Sequence, residues 1–122
     1  MIAVILASGE PERLYTALSL LVSVAAEDEP AHGLVTFGAL DALLRDELPA
    51  PGPDVTEREV FSRTLAELRE TASALPACRL WACAAAVETT GADAAAVAAR
   101  FAGVRSTPRF LRETRDARLV VV

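Results

Sequence analysis

Short apolar runs alternate with amphipathic stretches along this chain. Ile2 to Ala7 is a continuous apolar run rich in β-branched residues, and Ser8-Gly9 after it is a turn signal. This pattern is typical of a strand that is buried on both faces. From Pro11 onwards apolar residues recur at helical spacing, until Asp28-Glu29-Pro30 stops the repeat. The start of the chain therefore predicts a strand followed by a helix.

The same alternation continues to the other end of the sequence. Glu47 to Asp54 contains three prolines and a glycine and predicts a surface loop. A long helix is predicted after it, with Thr56 and Glu59 as a capping box and Pro76 as its end. The remaining predicted strands are Gly33 to Phe37, Arg79 to Ala84, Gly103 to Arg105 and Arg118 to Val122. The remaining predicted helices are Ala39 to Arg45, a helix capped by Thr90 and Asp93 that runs to about Ala102, and one that starts at Thr107-Pro108.

Strands that alternate with helices indicate parallel strands joined by right-handed crossovers. We therefore predict a three-layer α/β/α fold built on a mainly parallel five-stranded sheet. The chain has 122 residues, which is enough for one core and too few for two. The prediction is one domain over residues 1–122, because both sides of the proline-rich loop are needed to build that core.

Charge and composition narrow the classes of partner. The formal net charge is -5 and the chain has no lysine, so neither a nucleic acid nor an anionic membrane surface is an expected partner. The N-terminal segment lacks the basic region of a signal peptide, and the later apolar stretches are shorter than the roughly 20 residues of a membrane span. We expect a cytoplasmic protein, in which the two cysteines are free thiols.

Candidate chemistry lies where the predicted strands end, because open α/β sheets bind ligands outside the carboxyl ends of their strands. Cys83 is the strongest nucleophile among these residues. The other candidate ligand-binding residues are Ser8, Gly9, Gly38, Thr89, Thr90 and Ser106. His32 is expected before its strand, at the opposite end of the sheet, so a Cys–His pair within one subunit is geometrically poor.

The sequence lacks the common cofactor and metal motifs. There is no G-x-G-x-x-G, no Walker A lysine and no G-x-S-x-G elbow. One histidine and two cysteines do not form a convincing set of zinc ligands. We therefore expect neither a cofactor nor a metal ion.

Two interpretations of Cys83 remain open. Free cysteine behaves as a small hydrophobic residue and is often simply buried, so Cys83 can be a packing residue. Cys78, at the amino end of the same predicted strand, is interpreted as structural. Ser8-Gly9 also fits an ordinary strand-to-helix turn.

Several segments resemble the DsrE/DsrF-like proteins, which include bacterial sulfur-relay subunits. The resemblance spans nearly the whole chain. It lies in the segments IAVILASGEPERLYTALSLLVSVA, LVTFGALDALL, LAELRETASALPACRLWAC and GVRSTPRFLRETRDARLVVV. The family's sulfur-carrying cysteine falls at the end of the third long strand, which is where Cys83 stands. The resemblance thus implies a sulfurtransferase or sulfur carrier with a persulfide on Cys83, sulfur donor and acceptor proteins as partners, and a homo-oligomer, commonly a trimer or hexamer.

The residues around Cys83 in the sequence are not those that strongly activate a thiol. The residues after it, AAAVETT, are featureless, and no basic residue lies close by in sequence. Backbone amides around Thr90 to Asp93 are candidates to stabilise a thiolate. In an oligomer, His32 or Arg105 of a neighbouring subunit could supply the missing charge. The alternative function is a non-catalytic oligomeric interaction or small-ligand-binding module in which Cys83 is structural.

Overall fold

A parallel five-stranded sheet organises the protein. The computed structural model describes residues 1–51 and 55–122. In these ranges the strands are β1 (Ile2–Leu6), β2 (Ala31–Val35), β3 (Cys78–Cys83), β4 (Gly103–Arg105) and β5 (Arg118–Val121). Their order in the sheet is β4-β3-β2-β1-β5, and each of the four pairings between described strands is parallel. The predicted α/β class and parallel sheet are confirmed.

Six helices connect these strands in the described residues. They are α1 (Pro11–Ala25), α2 (Phe37–Leu44), α3 (Val55–Ala74), α4 (Ala84–Thr90), α5 (Ala94–Arg100) and α6 (Thr107–Glu113). In the ranges described, none of them is long and apolar enough to cross a membrane.

The first face of the sheet packs against α1. The apolar stripe of this helix, predicted from its spacing, is buried at Leu14, Leu18 and Leu21. A Cβ atom on Gly33 would lie 2.9 Å from Leu80 and 3.0 Å from Leu21, so the missing side chain lets the helix approach β2 closely. The longest helix, α3, packs beside α1 and against β3.

The second face of the sheet carries His32, Leu34, Trp81 and Cys83, because side chains alternate between faces along a strand. The crossover from β4 to β5 passes over this face, and its helix α6 is only seven residues long. Phe110 anchors α6 and is fully buried. Leu119 and Val121 on β5 remain half or more exposed, so a short helix leaves the margin of this face open to solvent.

Element boundaries differ from the predicted ones mainly around small residues. The second strand is Ala31–Val35 instead of Gly33 to Phe37, and α2 accordingly begins at Phe37. The third strand is shifted by one residue, to Cys78–Cys83. The helix predicted to end near Ala102 is α5, which Asp93 caps, whereas α4 before it is an additional helix that the sequence pattern does not predict. Alanine, the best helix former, starts α4 directly after β3, and the left-handed Gly91 ends it.

Arg69 on α3 is a buried charged residue that the sequence pattern does not indicate. Its Nη1 donates to the carbonyl oxygens of Leu43 at 3.0 Å and Arg45 at 2.7 Å, at the carboxyl end of α2. The last carbonyl groups of a helix lack partners within it, so the guanidinium group completes α2.

Two predicted features touch residues outside the described ranges. The loop from Glu47 to Asp54 has no helix or strand up to Pro51, and residues 52–54 are not described. The capping box of Thr56 and Glu59 depends on the Thr56 side chain, which also lies outside the described part of the structure.

Candidate functional site

The carboxyl ends of the parallel strands form one edge of the sheet, which we call the carboxyl edge. It comprises the last residue of each strand and the turns that follow. Cys83 is the last residue of β3 and at the same time the residue that precedes the first turn of α4. Its side chain is only 3% exposed. The predicted nucleophile therefore stands at the predicted edge, but it is shielded from bulk solvent.

Arg105 lies directly beside Cys83 in the same chain. The two residues are register partners where β3 pairs with β4. The guanidinium group of Arg105 is stacked over the Trp81 ring, 3.8 Å from its centroid, and its Nε donates to Glu113 at 3.1 Å. From the sequence, Arg105 of a neighbouring subunit is a candidate for this position. The structure shows that Arg105 of the same chain already lies beside the strand that ends in Cys83.

His32 belongs to β2 itself, which corrects its expected position before the strand. Its register partner is Arg79, four residues before Cys83, which places the imidazole roughly 13 Å along the strands from the thiol. The Nδ1 atom of His32 accepts a hydrogen bond from Trp81 Nε1 at 3.4 Å. As predicted, His32 and Cys83 do not form a pair within the chain.

Burial lowers the pKa of the His32 imidazole, and the positive charge of Arg79 lowers it further, while the carboxylate of Glu113 acts in the opposite direction. The first two effects favour the neutral imidazole in the folded protein, relative to a free histidine side chain.

Two glycines bring the loops after β1 and β2 together. A Cβ atom on Gly9 would lie 2.8 Å from the carbonyl carbon of Gly38, so the backbones touch. Ser8 Oγ accepts from the Glu10 amide at 3.1 Å, and Thr36 Oγ1 donates to the Leu6 carbonyl at 2.9 Å. The structure thus assembles three of the predicted ligand-binding residues, Ser8, Gly9 and Gly38, at the carboxyl edge.

Phe37 follows these contacts with an unusual backbone. Its φ angle is 31°, in the left-handed region that non-glycine residues seldom adopt, and its ring is 49% exposed. The sequence offers no signal for this conformation. It puts an exposed aromatic ring next to Gly38 at the carboxyl edge.

The other predicted ligand-binding residues have backbone partners. Thr89 and Thr90 lie in the last turn of α4, where their hydroxyl groups donate to the carbonyl oxygens of Ala85 and Ala86. They stand about 9–10 Å along the helix axis from Cys83. The amides around Thr90 to Asp93 accordingly lie at the far end of α4 rather than beside the thiol. Ser106 caps α6 by accepting from the Arg109 amide at 3.3 Å.

Cys78 occupies the opposite end of β3 from Cys83. Its thiol is buried, and this burial raises the pKa to about 11. A thiol with so high a pKa holds its proton at neutral pH and is a poor nucleophile. In the described ranges, no group of three or more His, Cys, Asp or Glu side chains is arranged to hold a metal ion.

Sequence reasoning missed the contacts that link Trp81, Arg105 and Glu113. A signal for them was present, because Trp81 and Cys83 are two residues apart on one strand and therefore share a face. Placing Arg105 beside them required the knowledge that β4 pairs with β3.

Comparison with known proteins identifies the fold. No family model matches the chain, and no curated protein matches it significantly. The crystal structure of the ychN protein from E. coli superposes with a TM-score of 0.57, covering 100% of this chain and 99% of that one at 15% sequence identity. This chain therefore shares the fold of ychN.

Proposed function

We propose that this protein is a sulfur carrier that holds sulfane sulfur as a persulfide on Cys83. The observation that carries the proposal is the position of Cys83: a cysteine ends an inner strand at the edge where open α/β sheets bind ligands. The shared fold with ychN and the resemblance to sulfur-relay subunits favour the same chemistry.

The transfer is a thiol–persulfide exchange. The Cys83 thiolate attacks the terminal sulfur of a donor persulfide, a new sulfur–sulfur bond forms on Cys83, and the donor leaves as its thiolate. No external oxidant or reductant is needed, because the sulfane sulfur carries its oxidation level with it. Passing the sulfur to an acceptor thiolate reverses the same step.

The burial of Cys83 fits storage better than open reactivity. A persulfide on a side chain that is 3% exposed is protected from bulk thiols, which would otherwise remove its outer sulfur. Loading then requires a local opening at the carboxyl edge, and a donor protein that docks there could provide it.

Intact-protein mass after incubation with a small persulfide donor tests the proposal. We expect wild type and Cys78→Ser to gain one sulfur atom and Cys83→Ser to gain none, with the fold of each variant checked by circular dichroism. No addition to wild type, or equal addition to Cys83→Ser, would refute the proposal.

A second candidate function is a non-catalytic interaction or small-ligand-binding module in which Cys83 is a packing residue. The near-complete burial of Cys83 favours it. Native alkylation separates the two: a Cys83 that resists iodoacetamide in the folded protein and takes up no sulfur supports the module. Rapid native labelling of Cys83 contradicts it.

We also propose that the protein works as a homo-oligomer, with the trimer or hexamer that the family resemblance implies. The exposed side chains of Leu119 (50%) and Val121 (63%), at the margin of the second face, support a contact with another copy. Light scattering should give a multiple of 12.9 kDa for wild type and a smaller mass for Leu119→Asp. Val104→Asp, on the opposite edge strand, is the matched control. A monomer mass for wild type would remove this proposal.

A further inference from the structure

The chain contains one histidine and one tryptophan, and the structure brings the two together. Trp81 Nε1 donates to His32 Nδ1 at 3.4 Å. An indole N–H can only donate, so Nδ1 must carry a free lone pair. The contact therefore exists only when the imidazole is neutral with its proton on Nε2.

This pair begins a chain of four side chains that ends on α6. Arg105 stacks on the Trp81 ring and donates to Glu113, which is on α6. Glu113 also accepts from Arg109 at 2.8 Å. The chain His32–Trp81–Arg105–Glu113 thus runs from β2 across β3 and β4 to the helix that covers the second face.

The charges around His32 disfavour its protonation. Arg79 is its register partner on β3, and Arg105 lies beyond the indole on β4. On β1 its register partner is the uncharged Ala3. The nearby carboxylate, Glu113 on α6, already pairs with two arginines.

We propose that the His32–Trp81–Arg105–Glu113 chain is a proton-sensitive latch between the sheet and α6. A proton added to Nδ1 takes the lone pair that the indole N–H uses, so the hydrogen bond breaks. The new imidazolium then faces the indole N–H and the guanidinium of Arg79. Trp81 moves away from His32, and the stack that leads to α6 loosens.

The direction of the pH dependence follows from the lowered pKa of His32, caused first by burial and then by Arg79. In the unfolded chain the imidazole titrates near its ordinary value of about 6.5. Between that value and the lower folded pKa, the unfolded state binds more protons. The stabilisation is therefore fully present above about pH 6.5 and is lost as the pH falls through the folded pKa.

Because Trp81 is the sole tryptophan, its emission wavelength reports on the latch directly. We expect wild-type emission to shift reversibly to longer wavelength between about pH 8 and pH 5, the range in which histidine titrates, with a midpoint below about 6.5. His32→Asn retains an acceptor near the Nδ1 position but cannot titrate there, and its emission should stay constant. The emission wavelength is measured instead of the intensity, because an imidazolium in contact with the indole ring can change the intensity of its emission without any movement of Trp81.

Two charge variants make the test specific. Arg79→Gln removes a repulsion and should raise the midpoint, whereas Glu113→Gln removes an attraction and should lower it. Arg79 is exposed, so its variant is expected to fold even if Glu113→Gln does not. Constant wild-type emission, the same shift in His32→Asn, or a lowered midpoint in Arg79→Gln would overturn the proposal. None of these outcomes depends on sulfur chemistry at Cys83.

Discussion

Gly9 and Gly38 hold the loops after β1 and β2 in direct backbone contact. A Cβ atom on Gly9 would meet the carbonyl carbon of Gly38 at 2.8 Å, whereas a Cβ atom on Gly38 would lie 3.2 Å from the Gly9 nitrogen. We expect Gly9→Ala to lower the free energy of unfolding by about 1–3 kcal/mol, as overpacking does. Gly38→Ala should cost less. Urea denaturation of both variants measures the difference, and an equal or larger loss in Gly38→Ala would contradict this geometry.

Removing the Arg69 side chain should destabilise the protein through α2. Arg69→Met leaves the carbonyl groups of Leu43 and Arg45 without the donor they now share, at a cost of about 1–3 kcal/mol. Arg69→Lys keeps one cationic donor and should fall between wild type and Arg69→Met in chemical denaturation. A wild-type midpoint for Arg69→Met would show that the capping contact contributes nothing.

Phe110 should be the main stability determinant of α6. Its side chain is fully buried, so Phe110→Ala leaves a cavity and should cost about 3–5 kcal/mol. The adjacent Leu111 is exposed, and Leu111→Ala should stay within about 0.5 kcal/mol of wild type. Thermal unfolding of the pair tests this, and similar losses in both variants would mean that α6 does not dock through Phe110.

The Cys78 thiol should be inert in the folded protein. Its pKa of about 11 leaves little thiolate near pH 8, and its side chain is buried. In Cys83→Ser, where Cys78 is the remaining cysteine, iodoacetamide should label the chain only after denaturation. If iodoacetamide labelled Cys83→Ser as fast in buffer as in denaturant, the prediction that Cys78 is inert in the folded protein would be wrong.

The same thiol makes stability fall at alkaline pH. Its folded pKa lies above the ordinary value of 9.0, so the folded state binds more protons between the two values. The stabilisation is present below about pH 9 and is lost as the pH rises through about 11. Cys78→Ala should show a smaller decline in unfolding midpoint across this range, and an identical decline would assign the effect to another group.

Local pattern was sufficient for the elements with strong periodicity or clear end signals. β1, the start of α1 at Pro11 and the short strand β4 lie where the sequence predicts them. The alanine-rich stretch after Cys83 was harder. Alanine marks neither a polar nor a strongly apolar position, so periodicity did not indicate α4, whereas the cap at Asp93 correctly indicated the start of α5.

The sequence predicted where the candidate site lies in the sheet, but it did not predict what surrounds Cys83 there. The rule for parallel strand ends correctly placed Ser8, Gly9, Gly38 and Cys83 at one edge. The proximity of Arg105 depends on the pairing of β4 with β3, which a local pattern does not encode. The burial of Cys83 likewise depends on elements that come together only in the folded sheet.

The sheet order also governs how the chain folds during synthesis. β1 leaves the ribosome before the other four described strands, yet its outer neighbour β5 is synthesised after all of them. Until residues 118–121 emerge, one hydrogen-bonding edge of β1 has no partner, and unpaired strand edges are sites of aggregation. Closing the sheet then joins two strands that have all the other described strands and helices between them in the sequence, the kind of distant pairing that slows folding. The nascent sheet is therefore most vulnerable to misassembly in the interval before β5 docks.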